Sequence, residues 1–188
     1  MMRVLVAAPH PDDDWIGCGG SLLKHLHAGN PVTVVYMTSG DAGGLGMTKE
    51  SLAAVREAEA RAAAAFAGIT DLIFLRHPDG GLAYDRSSLT ETTGLVRRLR
   101  PELLYIPHAR DAHPDHAVTH RLWVEACRRA GGPWFPECPG DPWTVGTILC
   151  YEVWTPLTAA TYVEDVSEFM DLKLAALKRH ASQVKALP

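Results

Sequence analysis

The chain alternates between two kinds of segment. Short runs rich in β-branched and apolar residues are each followed by a stretch with helical periodicity. "RVLVAAP" reads as a buried strand, Ile16 to Ala28 as a helix stopped by Gly29-Asn30-Pro31, and "VTVVYMT" as a second strand. Ser51 to Ala67 reads as a helix ended by Gly68, "DLIFL" as a third strand, Ser88 to Arg100 as a helix stopped by Pro101, and "LLYIP" as a fourth strand. Ala117 to Ala130 is a further helix ended by Gly131-Gly132. "TILCYEV" is a fifth strand, "TYVEDV" a sixth, and Glu168 to Ala181 a last helix. Such alternation builds right-handed βαβ units. The expected fold is therefore α/β, a three-layer Rossmann-like arrangement with a mostly parallel central sheet and helices on both faces. At 188 residues, a single domain over 1–188 is expected, with a core of useful size.

Composition removes several classes of function. A net charge of −4 argues against a general nucleic-acid binder, which is usually basic. No apolar run approaches the length of a membrane span. Arg3 is followed by only a handful of apolar residues before His10 and the aspartates, which is not a signal-peptide pattern. Cys18, Cys127, Cys138 and Cys150 form no CxxC pair, so reduced thiols in a cytoplasm are the default expectation.

In folds of this kind, ligands bind beyond the carboxyl ends of the strands where the strand order reverses. For the order 3-2-1-4-5-6, that point lies between strands 1 and 4. The two densest His/Asp clusters follow those two strands: His10-Pro11-Asp12-Asp13-Asp14 and "HARDAHPDH", His108 to His116. Three adjacent like charges at the end of a buried strand call for a positive partner. Histidines and carboxylates meeting at one point suggest a divalent metal, and imidazole with carboxylate suits zinc. Three protein ligands would leave a position for a water whose pKa zinc lowers. One aspartate would bind the metal and a neighbour would take the water's proton. Spacing alone leaves open which does which.

"AAPHPDDD" and "HPDH" resemble the two signature motifs of the PIG-L/LmbE superfamily of zinc-dependent N-deacetylases. The resemblance extends to "TSGDAGG" after strand 2, Arg56 and Glu59 in the next helix, "HPDGGL" after strand 3 and "KLAALKRHASQV" near the end. It implies a Rossmann-like fold, a Zn(2+) cofactor and hydrolysis of an acetamido group on an N-acetylglucosamine unit. By motif position it implies His10, Asp13 and His116 as metal ligands and Asp12 as general base. His113 would stabilise the oxyanion or protonate the departing amine, with Asp115 orienting and charging it. Arg56 takes the place of a substrate-contacting arginine. The third acidic residue is often glutamate in the family and is Asp14 here. Some members carry a tyrosine two residues before the second motif, where this chain has Asp111. Many relatives continue beyond the equivalent of Pro188, so a C-terminal part that walls the cleft is expected to be missing. The implied partner is a small amino-sugar substrate, with a homo-oligomer left open.

Other residues carry competing readings. Arg56 could instead pair with Glu59 along its helix. His77-Pro78-Asp79 mimics the second motif but follows strand 3, away from the reversal, and reads as a turn with a polar rim. Asp41 could contact sugar hydroxyls. The irregular stretch "GGPWFPECPGDPWTVG" carries Trp134, Phe135 and Trp143, which could stack on a sugar or anchor the loop. Two rival functions remain. One is an amidase on a glucosamine-containing thiol conjugate. The other is a Rossmann-type nucleotide-binding module, disfavoured because Gly17, Gly19 and Gly20 do not form GxGxxG and three aspartates repel a pyrophosphate.

Overall fold

The computed structural model describes residues 1–44 and 46–184. Its strands are β1 (Val4–Ala8), β2 (Val32–Thr38), β3 (Asp71–His77), β4 (Leu103–Pro107) and β5 (Thr147–Tyr151). Its helices are α1 (Asp13–His27), α2 (Lys49–Ala67), α3 (Arg86–Leu99), α4 (Pro114–Ala130), α5 (Met170–Leu177) and the single turn α6 (Ala181–Val184). The strands form one sheet in the order β3-β2-β1-β4-β5, and every pairing is parallel. The order reverses between β1 and β4, which are in register from Val4 opposite Leu103.

Side-chain alternation along the strands divides the core into two layers. Val4, Val6, Val34, Tyr36 and Tyr105 face α1, α2 and α5, through Trp15, Leu22, Ala60, Ala63, Ala64 and Ala176. Leu5, Ala7, Val35, Met37, Leu104 and Ile106 face α3 and α4, through Leu95, Val96, Leu122, Trp123 and Ala126. The alanine cluster of α2 therefore serves close helix–sheet packing. The glycines of α1 serve a similar purpose. A Cβ on Gly17 would lie 2.2 Å from the Tyr151 ring and one on Gly20 would lie 2.6 Å from Val166, so these glycines admit packing partners and leave no phosphate cradle.

Several boundaries differ from expectation. α1, α2, α3 and α4 start earlier than periodicity suggests, because their first turns hold capping, acidic or proline residues rather than apolar ones. Thr48 caps α2 by accepting from the Ser51 amide, and Asp85 caps α3 by accepting from Ser88. Pro114 opens α4, where its missing N–H costs nothing. "TYVEDV" is not a strand: among the described residues the sheet ends at β5. That segment is fastened across α1 instead. Glu164 pairs with Lys24 at 2.8 Å and accepts from Ser21 at 2.6 Å, and Val166 packs over Gly20. The last expected helix is broken into a 3₁₀ turn (Ser167–Phe169), α5 and α6.

The break after α5 buries His180 completely, and among the described residues neither of its ring nitrogens has a partner. Burial, helped by the Arg56 charge, pulls its pKa down to about 4. An unfolded histidine titrates near 6.5, so between those values the unfolded chain binds a proton that the fold refuses. Stability contributed by the neutral ring is thus lost as pH falls from about 6.5 toward 4, by on the order of 3 kcal/mol. Denaturant unfolding at pH 7 and pH 5 checks this. The stability lost between those pH values should be smaller in His180→Asn than in the parent, and equal losses would contradict it.

Candidate active site

β1 and β4 end side by side, and the helices that follow them, α1 and α4, begin at the same place. Their first turns carry the two His/Asp clusters. The three adjacent aspartates have three different partners. Asp12 Oδ1 lies 3.2 Å from Arg56 Nη2. Asp13 Oδ2 lies 3.1 Å from His10 Nδ1 and 3.2 Å from His116 Nε2. Asp14 turns inward and accepts from the Tyr36 hydroxyl at 3.0 Å. This separation is what allows like charges to adjoin.

Asp12 has φ 141°, which is strained for a residue with a side chain. Arg56 holds it there. Arg56 is only 4% exposed, and its guanidinium also donates to the carbonyls of Pro11 (3.0 Å) and Gly40 (3.1 Å). Arg56 does not make the expected pairing with Glu59. Its ion-pair partner is Asp12, and Glu59 instead accepts from Ser182 at the start of α6. Burial and the adjacent Asp13 charge push Asp12 up to about 7, against the pull of Arg56, His10 and His116.

The donor atoms His10 Nδ1, Asp13 Oδ2 and His116 Nε2 form a triangle with edges of 3.1, 3.2 and 3.3 Å. Ligands at 2.0–2.1 Å from a tetrahedral zinc would be roughly 3.3 Å apart, so the triangle has the right size for one face of such a site. The far nitrogens of both histidines face carboxylates. His10 Nε2 is 3.0 Å from Asp79 Oδ1 and 3.3 Å from Asp115 Oδ2. His116 Nδ1 is 3.3 Å from Asp111 Oδ1, an ion-pair contact rather than an aligned hydrogen bond. Carboxylates behind the ring are the usual second support of a metal-binding histidine. The electrostatics agree. Burial alone would discharge the His10 ring, but Asp115, Asp13 and Asp79 outweigh it and push its pKa up to about 11. Burial would likewise raise Asp13, yet His10 and His116 hold it well below the usual carboxylate range. A centre that grips a proton this way lacks positive charge, and a cation would supply it.

His113 is the N-cap of α4. Its Nδ1 accepts the Asp115 amide at 3.2 Å, which assigns the proton of the neutral ring to Nε2. A ring nitrogen of His113 lies within 4.8 Å of ring nitrogens of both His10 and His116, so these three histidines are also close enough to hold a metal ion. The expected pairing of Asp115 with His113 is not present. The Asp115 carboxylate is committed to His10 and to the amides of Gly80 (2.7 Å) and Leu82 (3.2 Å). Burial and the charges of His10 and His116 lower the pKa of His113, and Asp115 only partly offsets them. These influences favour the neutral ring, whose proton sits on Nε2.

Two residues at this centre were read otherwise from the sequence. Asp79, expected on a peripheral turn, sits against His10 and also accepts from the Ala42 amide at 2.8 Å. Asp111, noted only as a departure from tyrosine, stands behind His116 and ties down Trp154 through its amide at 3.0 Å. The signals available were the repeated "HPD" pattern and the buried-strand ending before Asp111. Asp41 lies on the rim after β2, with Lys49 Nζ 4.0 Å away. Trp134 is not brought to the site. Its loop is gathered by the buried Arg97, which donates to the carbonyls of Phe135 (2.8 Å), Gly132 (2.9 Å) and Trp134. Trp143 is anchored on Pro101, just before β4. The loop therefore lies at the amino ends of the strands, opposite the two His/Asp clusters, with Phe135 buried, Trp143 partly buried and Trp134 52% exposed to solvent.

Residues 5–127 match the family described as PIG-L: GlcNAc-PI de-N-acetylase, a span that takes in both His/Asp clusters. The chain is 30% identical over 190 residues to the diacetylchitobiose deacetylase of Thermococcus kodakarensis, covering 96% of this chain and 70% of that one. It is 31% identical over 197 residues to a probable N-acetyl-alpha-D-glucosaminyl L-malate deacetylase 2 of Bacillus anthracis, with 96% and 81% covered. Among solved structures, the conserved protein TT1542 of Thermus thermophilus matches with a TM-score of 0.87 at 34% identity, over 97% of this chain and 80% of that one. No helix among the described residues is long and apolar enough to cross a membrane. With the sheet order, the paired clusters and the sequence match all in agreement, the chain belongs to the PIG-L family.

Proposed function

We propose that this chain is a zinc-dependent hydrolase that removes the N-acetyl group from an N-acetylglucosamine-containing conjugate, releasing acetate and a free amine. The observation that carries the reading is the triangle of His10 Nδ1, Asp13 Oδ2 and His116 Nε2, with Asp12 beside it. The names of the Thermococcus and Bacillus relatives support the substrate class.

His10, Asp13 and His116 would hold the zinc. When bound, zinc supplies a Lewis acid that acidifies a coordinated water and polarises a carbonyl. Asp79 and Asp115 orient the His10 ring, and Asp111 backs His116. Asp12 accepts the proton of the attacking water. Its environment places it near 7, where a carboxylate can both take a proton and return it. Arg56 keeps its oxygen aimed. His113 donates from Nε2 to the amide oxygen as negative charge develops there. The proton collected by Asp12 is the one delivered to the departing amine. Asp41 stays a rim group within reach of a sugar hydroxyl, while Trp134, at the far end of the sheet, is not part of this proposal.

A panel assay tests the substrate class. Acetate release should be fastest from glycosides and conjugates of N-acetylglucosamine, slower from the free sugar and slowest from acetyl-lysine or acetyl-cysteine. Contacts to the group beyond the sugar contribute binding energy in the transition state, which sets that order. Preference for acetyl-lysine or acetyl-cysteine over every sugar would remove the glucosamine assignment. Release of a larger acyl group from a glucosamine–thiol conjugate, with no acetate from any sugar, would favour the amidase.

A further inference from the structure

Asp79 reaches His10 because β3 contains one residue too many. Tyr36 pairs with Phe74, but Thr38 pairs with His77, so three steps along β3 match two along β2. The surplus is absorbed at Arg76, whose φ of 59° is a left-handed conformation that arginine disfavours. A bulge of this kind re-aims the residues after it, here "HPDG".

The bulge is fastened from outside the site. Arg76 Nε and Nη2 donate to the two oxygens of Glu57 at 2.8 and 3.0 Å, and Ser39 Oγ donates to the same carboxylate at 2.7 Å. Glu57 follows Arg56 in α2. Arg56 ties down Pro11, Asp12 and Gly40, while Glu57 ties down Ser39 and Arg76. Two consecutive residues of one helix thus fasten the segments that follow β1 and β2 and the end of β3. They are the segments that carry Asp12, Asp13 and Asp79.

We infer that Glu57 is a positioning residue for the metal centre: by holding Arg76 in the β3 bulge, it sets Asp79 against His10 Nε2 and so fixes where His10 Nδ1 points. This rests on the zinc reading above. The competing role is a surface ion pair that adds to stability alone, since the Arg76 side chain is 65% exposed.

Zinc affinity separates the two, measured on folded protein by competition with a chromophoric chelator, alongside Tm. Loss of an outer support typically costs roughly 10–100-fold in metal affinity, and Glu57→Ala and Arg76→Val should fall in that range. Arg76→Gly should lose much less, because glycine adopts positive φ without the clamp. In an Asp79→Ala background, Arg76→Val should add no further loss, since the clamp acts through Asp79. Unchanged zinc affinity in folded Glu57→Ala and Arg76→Val, or losses that add fully in the Asp79→Ala background, would overturn the assignment. Should Arg76→Val not fold, Glu57→Gln carries the same comparison, since it keeps the side-chain shape but removes the charge. The readout stands apart from acetate release: absent turnover removes the deacetylase reading, and equal zinc affinities remove the clamp.

Discussion

Asp12→Asn is expected to keep its zinc and lose roughly 10²–10⁴-fold in turnover, the usual contribution of a positioned general base. The amide is nearly isosteric with the carboxylate, so the strained backbone at φ 141° and the Arg56 contact can both survive. What disappears is the ability to accept a proton. Asp12 suits that task because burial and the neighbouring Asp13 charge raise it to about 7, while Arg56 keeps it from rising further. Asp13, one residue on, is held well below the usual range by two histidines and remains a carboxylate throughout. Two adjacent aspartates are thus driven apart in proton affinity, which suits one to the proposed role of base and the other to that of ligand. Steady-state kinetics at saturating zinc, with the metal content of the variant measured alongside, give the comparison. Near-normal turnover in Asp12→Asn would assign the base elsewhere.

The second large effect concerns the ligand set. His116→Ala should retain the fold and bind zinc far more weakly than the parent, by more than the roughly 10–100-fold that loss of an outer support costs. His116 is completely buried, its Nε2 is one corner of the donor triangle, and Asp111 stands behind its other nitrogen. Removing the ring deletes a donor and leaves the Asp13 carboxylate short of a partner. Asp13→Asn should weaken zinc binding for a complementary reason, by removing the charged oxygen while keeping the side-chain volume. Metal analysis after dialysis, with circular dichroism to confirm the fold, checks both. Undiminished zinc in His116→Ala would remove His116 from the ligand set and point to His10, Asp79 and Asp115, which are also close enough to hold an ion.

The architecture was legible because it depends on patterns that survive in one dimension. β-branched runs such as "VTVVYMT" alternate with helical periodicity, and right-handed crossovers leave few ways to order the strands. Once β1 and β4 are neighbours, the clusters after them must meet. Boundaries were less legible where a helix opens with residues that resemble a loop, as at Asp13-Asp14 and Pro114-Asp115. "TYVEDV" has strand composition but is held on α1 by Glu164 and Val166, contacts that no local pattern encodes. Asp79 was missed because its position depends on one extra residue in β3, and a single-residue bulge leaves no mark on hydrophobic periodicity. Trp134 was over-read for the opposite reason. Its loop has the composition of a binding surface, but α4 carries the chain from the end with the His/Asp clusters to the far end before the loop begins. The hydrogen-bond partner of His113 was also out of reach, since it depends on which atom of Asp115 faces the ring. The amide does, and the carboxylate does not.

The central claim is that one zinc, held by residues that follow β1 and β4, is needed for removal of an acetyl group. The most direct test is to strip the protein with a chelator and titrate zinc back while following acetate release from an N-acetylglucosamine glycoside. The account predicts no turnover in the stripped protein, a rise in proportion to added zinc, and a plateau at one zinc per chain. Full turnover after stripping, or a rate that ignores added zinc, would contradict it.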